Sequence, residues 1–312
     1  MNNIIDKFLF HCKYEKNLTP KTIKAYSADL VQFKDFMLEK YTISDFKSIG
    51  KEELKSYLQF ISKYKPKTIK RKLATAKTMF NFLEFEEIIE FSPFRKVRFK
   101  IKEPMVLPTV MSIEEVSKMF RTVYSGWKMN KKGEYEKKDI IRDGAVIELL
   151  FGTGIRVSEL CSLSKEIIND DFALIKVNGK GRKERTIQIS NDEIKETLKC
   201  YYLLFKDKIE KSNYFFINRL GNRLSEQSVR LMIRKYRLQC DITKNITPHI
   251  FRHSFATLLL ENDVDIKYIQ AILGHSSIVT TQIYTHVNSE KQSEILHLKH
   301  PRNELHYSEI IH

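Results

Sequence analysis

None of the cysteines in this sequence is placed to pair. Cys12, Cys161, Cys200 and Cys240 are far apart and none stands in a C-x-x-C arrangement. They read as reduced, structural thiols rather than a disulfide framework. No apolar run approaches the ~20 residues that span a bilayer, so no membrane partner is expected. The opening stretch, MNNIIDKFLFHCKYEKNL, lacks both a long apolar core and a small-residue cleavage site. It therefore does not read as a signal peptide, and the cytoplasm is the expected compartment. Internal repeats and low-complexity tracts are also missing. Acidic residues are in deficit, with 39 Asp+Glu against 54 Lys+Arg and a formal net charge of +15. Such an excess favours a polyanion, of which nucleic acid is the commonest, over a generic basic surface. The choice between the two rests on motifs.

The length, 312 residues, suggests two domains. The first hundred residues carry helical patterning. Thr19-Pro20 is a start signal, because threonine caps and proline is tolerated at the first helical position. Behind it Ile23, Tyr26, Leu30, Phe33 and Met37 recur at steps of three and four, the stripe of an amphipathic helix. A shorter helix is expected over Lys51 to Ile61. Another opens at Pro66, with Ile69, Leu73, Ala76, Phe80 and Leu83 as its apolar side. On that helix Lys67, Lys70, Arg71 and Lys77 fall largely off the stripe. An apolar back with a basic front suits a helix facing a nucleic-acid groove, where Thr68, Thr75 and Thr78 would be short enough to approach bases. A solvated face is the alternative.

Val97 to Pro108 alternates basic and apolar residues, contains two prolines and reads as an extended linker. Ser112 with Glu115 then matches a capping box that opens a new domain. The expected division is 1–96, a helical domain; 97–108, a linker; and 109–312, a mostly helical domain with a small antiparallel sheet. The fold class is thus mainly α, of α+β type. Within the second domain, Ser125 to Asp139 is lysine-rich and polar and reads as an exposed loop, followed by a helix over Ile140 to Leu150. Phe172 to Val177 and Glu184 to Ile189 are strand-like and flank a glycine-bearing turn, a hairpin signal. Phe215 to Ile217 reads as a third short strand, and the chain after Leu224 as helices.

Five segments place charged or polar residues beside glycine or proline. They are Thr153-Gly154-Ile155-Arg156-Val157-Ser158-Glu159-Leu160, Asn178-Gly179-Lys180-Gly181, Pro248-His249-Ile250-Phe251-Arg252-His253-Ser254, Leu273-Gly274-His275-Ser276 and Ile283-Tyr284-Thr285-His286. Two arginines, histidines, a hairpin lysine and a tyrosine make a set whose main members include no acid. Such a set suits an anionic substrate. The planar guanidinium holds two oxygens of a phosphate at once. A lysine donates a proton, and a histidine accepts or shares one. A tyrosine attacks phosphorus once nearby cations favour its phenolate, its free pKa being ~10. Taken singly, each residue has a plainer reading, as a surface ion pair, a solvated lysine, a helix cap or core packing.

Taken together, in this order and spacing, the segments strongly resemble the tyrosine recombinase family, also called phage-integrase-type recombinases, and its Xer-like members. Thr153 to Leu160 fits the family's first box. Lys180 lies in its Gly-Lys-Gly hairpin, His249, Arg252 and His253 fit His-x-x-Arg-His, Leu273 to His275 fit Leu-Gly-His, and Tyr284 lies in Tyr-Thr-His. Lys299 to Arg302 looks like the Xer-type tail. The basic loop at 125–139 and the ten residues after Arg302 depart from the compact Xer pattern. The resemblance implies that Tyr284 attacks the scissile phosphate of double-stranded DNA at a specific recombination site, leaving a 3′-phosphotyrosyl link. It implies that Arg156 and Arg252 clamp the non-bridging oxygens, Lys180 protonates the departing 5′-oxygen, His249 serves as base and His275 hydrogen-bonds the phosphoryl group. Glu159 would orient its basic neighbours. No metal and no nucleotide cofactor is implied, because the protein–DNA ester keeps the bond energy.

Other readings are a type IB topoisomerase, a non-catalytic sequence-specific DNA-binding protein, and a zinc hydrolase built on His249 and His253, four apart on a helix. The residues between those histidines are Ile-Phe-Arg and include no general-base glutamate, which argues against zinc. The resemblance further implies a homotetramer on paired sites, with room for a partner recombinase or accessory protein. In that assembly the short helix over Asn288 to Lys299 would dock on a neighbouring protomer. On that view the chain beyond Ser289 is dispensable for half-site binding.

Overall fold

The computed structural model describes residues 1–102, 108–128, 134–167, 171–178, 184–274 and 289–305. It divides into two compact units, Met1–Val106 and Leu107–His312.

The first unit is helical: α1 (Asn2–Tyr14), α2 (Pro20–Tyr41), α3 (Lys51–Ile61) and α4 (Pro66–Phe85). The start signals operate as the residues suggest. Thr19 accepts a bond from the Thr22 amide at 3.3 Å, and Pro20 and Pro66 occupy first-turn positions where no amide donor is needed. The stripes of α2 and α4 meet in an aromatic core of Phe8, Phe33, Phe46, Tyr57 and Phe80, with Phe33 edge-on to Tyr57 at 4.7 Å. Val97, Phe99 and Ile101 pack against this same core. The described residues from Val97 to Lys102 form neither helix nor strand.

The second unit is built round α6 (Glu134–Thr153), whose residues Ala145 to Phe151 are all buried. Against it pack α5 (Ile113–Lys128), α8 (Asp192–Glu210), α9 (Glu226–Gln239) and α10 (Pro248–Glu261). The capping box at Ser112 forms, with reciprocal bonds of 2.9 and 3.3 Å to Glu115. The loop expected over Ser125 to Asp139 is helical at both ends, and its middle, 129–133, lies outside the described residues. Ser125 to Lys128 continue α5, and α6 begins at Glu134. Lysine and glutamate are good helix formers, so polarity by itself does not argue against a helix. The hairpin pairs β1 (Leu174–Asn178) with β2 (Glu184–Gln188), antiparallel, with Val177 opposite Arg185. The third strand expected at Phe215 to Ile217 reduces to one bridge, Ile217 to Arg223. Phe215 and Phe216 are instead core aromatics, buried round Tyr201.

The short helices α7 (Val157–Cys161) and α11 (Ile266–Leu273) and the C-terminal α12 (Ser289–Lys299) complete the unit. In this single chain Leu296 of α12 is buried with Phe255, Leu259, Val264 and Ile269, so the helix has a partner surface within its own unit. Beyond it His300 is buried, with Nε2 2.7 Å from the Gly152 carbonyl, while its Nδ1 accepts from the Arg302 amide at 2.9 Å. An accepting Nδ1 leaves the proton on Nε2, which donates to Gly152, so the ring is neutral. Burial pushes its pKa down to about 4, and Arg302 adds to this while the Gly152 bond opposes it. The folded value lies below the ordinary histidine value of about 6.5, so the unfolded chain takes up a proton that the folded one refuses. Thermal stability is therefore expected to fall as pH drops from about 6.5 towards 4. His300→Gln, which keeps a donor, should flatten that slope in melts between pH 7 and 5. An unchanged slope would remove His300 as its source.

Candidate active site

The end of α6 is shaped for a sharp change of direction. Thr153 donates to the Leu149 carbonyl at 2.6 Å and accepts from the Ile155 amide at 3.2 Å. Gly154 between them has φ +59°, and a Cβ there would lie 2.7 Å from both Leu273 and Phe255. Glycine is required on both counts. The turn leaves the Gly154 carbonyl pointing at α10, where Arg252 Nη1 donates to it at 2.7 Å. Arg252 Nη2 donates to the Leu273 carbonyl at the end of α11, also at 2.7 Å. Two backbone carbonyls from different elements thus fix the guanidinium of a residue that is only 7% exposed.

Arg156 caps α7. Its amide donates to Glu159 Oε2 at 3.0 Å and its Nη1 to Glu159 Oε1 at 2.8 Å. Its Nη2 reaches the Gly274 carbonyl at 3.3 Å. A third arginine, Arg185 of β2, forks onto the same carboxylate at 2.9 and 3.0 Å. Burial would raise the Glu159 pKa, but the bonds and charge of Arg185, with the bonds from Arg156, outweigh it and hold the carboxyl at about 2. Arg252 is pushed the other way, to about 10, by burial and by repulsion from Arg156 and Arg185. It stays protonated near neutral pH. Two guanidiniums therefore share one carboxylate, with Arg252 near enough for its charge to interact with all three groups, and the surplus of positive charge favours an anion.

His249 lies on the first turn of α10, exposed, with its pKa lowered by burial of part of the ring and by His253, Arg230 and Arg252. It is the neutral form, able to accept a proton, that these neighbours favour. His253 is exposed one turn further on. Among the described residues no three His, Cys, Asp or Glu side chains come together in a way that could hold a metal. Lys180, His275 and Tyr284 lie outside the described residues. Of the expected set, then, the structure brings together Arg156, Glu159 and Arg252, with His249 near enough to Arg252 for their charges to interact. Reading the sequence missed Arg185. The signal was there: Arg185 shares a strand face with Ile187 and Ile189, both 3% exposed, and a charge on an apolar strand face needs a partner.

In the first unit Lys67, Lys70, Arg71 and Lys77 are all exposed on α4. Arg71 is anchored on Asp29, which also takes Lys72 at 2.9 Å. Thr75 is not available to a base. It is fully buried and donates to Asp29 at 3.2 Å and to the Arg71 carbonyl at 3.0 Å. It belongs to the inner face of α4, where its small hydroxyl satisfies a buried carboxylate.

Comparison with known proteins follows the same two parts. Residues 113–291 match the model of the phage integrase family, and residues 5–87 that of the phage integrase N-terminal SAM-like domain. The chain is 45% identical over 311 residues to a tyrosine recombinase of Agathobacter rectalis, covering 98% of this chain and 100% of the relative. It is 33% identical to tyrosine recombinase XerC of Myxococcus xanthus, covering 97% and 99%. Among solved structures, XerH recombinase bound to palindromic difH substrate, a post-cleavage complex, superposes with a TM-score of 0.70 at 23% identity, covering 92% of this chain and 82% of that one. Likeness at that identity speaks for the fold. The sequence matches extend further, over nearly the whole length at up to 45% identity, and they leave no doubt of kinship: the chain belongs to the tyrosine recombinase, or phage integrase, family.

Proposed function

We propose that this protein is a site-specific DNA recombinase that cuts and rejoins strands through a 3′-phosphotyrosyl intermediate. The observation that carries the reading is the arginine cluster, in which Arg156 and Arg252 are held by fixed carbonyls and one carboxylate, preorganised for a phosphoryl group. Preorganised charge of this kind is most valuable where negative charge builds in the transition state. In the proposed step the Tyr284 hydroxyl gives its proton to neutral His249 and its oxygen bonds to phosphorus. The bond from phosphorus to the 5′-oxygen breaks, and that oxygen leaves with a proton from Lys180. His275 hydrogen-bonds the phosphoryl oxygens. A 5′-hydroxyl from a partner duplex then reverses the step, restoring tyrosine and a DNA phosphodiester, with no metal and no nucleotide consumed.

The first unit serves as a core-binding domain, with the basic front of α4 (Lys67, Lys70, Arg71, Lys77) against phosphates. The stretch 97–108 links it to the catalytic domain. Two duplexes cut on both strands require four coordinated active sites, so a homotetramer assembles on paired sites in the cytoplasm. Full-length likeness to XerC- and XerD-named recombinases supports an Xer-like role. The same chemistry serves dimer resolution and the integration or excision of mobile DNA.

The test is to incubate the protein with a library of nicked suicide duplexes and to sequence the DNA trapped on protein. A discrete inverted-repeat site is expected, and trapping without sequence preference would favour a relaxing topoisomerase. On that site Arg156→Ala and Arg252→Lys, the latter keeping charge but losing the fork, should slow single-turnover cleavage by on the order of 10²-fold or more. The dissociation constant should move by less than about threefold, because the contacts strengthen mainly in the transition state. An affinity loss equal to the rate loss would demote both to ordinary phosphate anchors.

A further inference from the structure

Arg185 is a cation on the wrong side of its strand. β2 turns Ile187 and Ile189 into the core, and Arg185 shares their face, with a side chain only 16% exposed. It is stabilised there by a two-point bond, Nη1 to Glu159 Oε1 at 2.9 Å and Nη2 to Glu159 Oε2 at 3.0 Å. The bond has consequences for the neighbouring arginine. Glu159 Oε1 also accepts from Arg156 Nη1 at 2.8 Å, and Oε2 from the Arg156 amide at 3.0 Å. With Arg185 in place each oxygen has two donors, and the carboxylate has no free direction in which to turn. The aliphatic part of Arg185 meanwhile lies against Gly274, where a Cβ would come within 2.7 Å of its Cδ and 2.9 Å of its Nε. The Gly274 carbonyl is the second anchor of Arg156, through Nη2 at 3.3 Å. Arg185 thus touches both groups that hold Arg156.

Charge points the same way. A carboxylate bonded only to Arg156 would neutralise it and turn its fork inward. A carboxylate shared between two guanidiniums leaves a net positive pair, so Arg156 keeps charge to offer an anion. We infer that Arg185 is a positioning residue for strand cleavage, which locks Glu159 and the Gly274 backbone so that Arg156 presents a fixed, uncompensated guanidinium to the scissile phosphate. The inference rests on the reading of Arg156 as a phosphate clamp. Arg185 does not act through Lys180, although the two lie close in sequence.

The experiment uses the full-length protein and single-turnover cleavage of a suicide duplex, with the dissociation constant and a thermal melt for every variant. Arg185→Gln should slow cleavage about 10- to 100-fold, the scale of a small misplacement of a clamping group. Binding should stay within about threefold of the parent. Arg185→Lys retains the charge but loses the fork, so it should recover less than about a third of the lost rate. It also serves as the readable variant if the glutamine protein fails to fold. In a Glu159→Gln background the same Arg185 change should cost less than about twofold, because the link it acts through is already cut. A substrate with sulfur at the 5′-bridging position, whose leaving group needs no proton, should rescue Lys180→Ala but not Arg185→Gln.

Multiplicative effects of the Glu159 and Arg185 changes, full activity of Arg185→Lys, or rescue by the sulfur substrate would each overturn the inference. Failure of the clamp reading itself would look different. Arg156→Ala would then lose affinity in step with rate, while the coupling between Glu159 and Arg185 would still be measurable.

Discussion

Tyr284→Phe is expected to bind its DNA site as tightly as the parent and to form no covalent adduct at all. The substitution keeps the ring and removes one oxygen, the atom proposed to attack, so it is the least disruptive way to test that role. The argument for that atom is electrostatic. A free phenol loses its proton only near pH ~10, and at neutral pH it attacks phosphorus only where cations stabilise the phenolate. Arg156 and Arg185 bond Glu159 and hold its carboxyl at about 2, and Arg252 lies near enough for its charge to interact with theirs. The neutral form of His249, favoured by its surroundings, can take the proton. The check is a denaturing gel after incubation with labelled suicide substrate. Protein still shifted by DNA in the Tyr284→Phe lane would mean that another residue is the nucleophile. Loss of both adduct and binding would show that Tyr284 has a structural role beyond its oxygen.

Much of this site was legible because its signals are local. A threonine before Pro20, a proline at 66 and a serine three residues before Glu115 each satisfy donors at a helix start, and sequence alone suffices to see that. The Gly154 turn and the arginine boxes also lie within a few residues each. What escaped is what depends on distant partners. The two ends of Ser125 to Asp139 looked like loop because their polarity was visible, while the helices they belong to, α5 and α6, are anchored by apolar residues further along each. Phe215 to Ile217 looked like a strand, but its aromatics are claimed by Tyr201 on α8, and no neighbour pairs the backbone beyond one bridge. Thr75 looked like part of a basic front until Asp29, 46 residues away in sequence, drew it inward. Arg185 and Glu148 each carried a visible anomaly, a charge among apolar neighbours. Their partners, 26 and 154 residues away, were not visible in any window.

Arg302→Ala is expected to destabilise the second unit more than any other single change outside its apolar core. Arg302 and Glu148 are both fully buried. Arg302 donates through Nε to Glu148 Oε2 and through Nη2 to Oε1, each at 2.8 Å, and Nη2 also reaches Glu193 at 2.6 Å. Nη1 is taken by the Leu305 carbonyl, and the guanidinium sits 5.0 Å from the Phe120 ring centroid. Burial opposes the charge on Arg302, but Glu148, Tyr124 and Glu193 more than offset it and keep its pKa above the ordinary value. Among the described residues, alanine would leave the buried Glu148 carboxylate with the Tyr124 hydroxyl as its one remaining side-chain donor. Stranding one member of a buried ion pair costs on the order of 3–5 kcal/mol. For a unit of this size that is a fall in melting temperature of roughly 6–20 °C. Truncation after Ser289 removes the same arginine together with Leu296 and His300, so it should melt early too, and should not give the intact half-site binding expected of a tail that only docks on a neighbour. The discriminating variant is Arg302→Met with Glu148→Gln, which removes both charges. It should regain most of the lost stability, since a stranded charge costs more than a missing pair. A melting temperature for Arg302→Ala within about 2 °C of the parent would mean that the C-terminal segment does not hold this arginine in the core of the folded protein in solution.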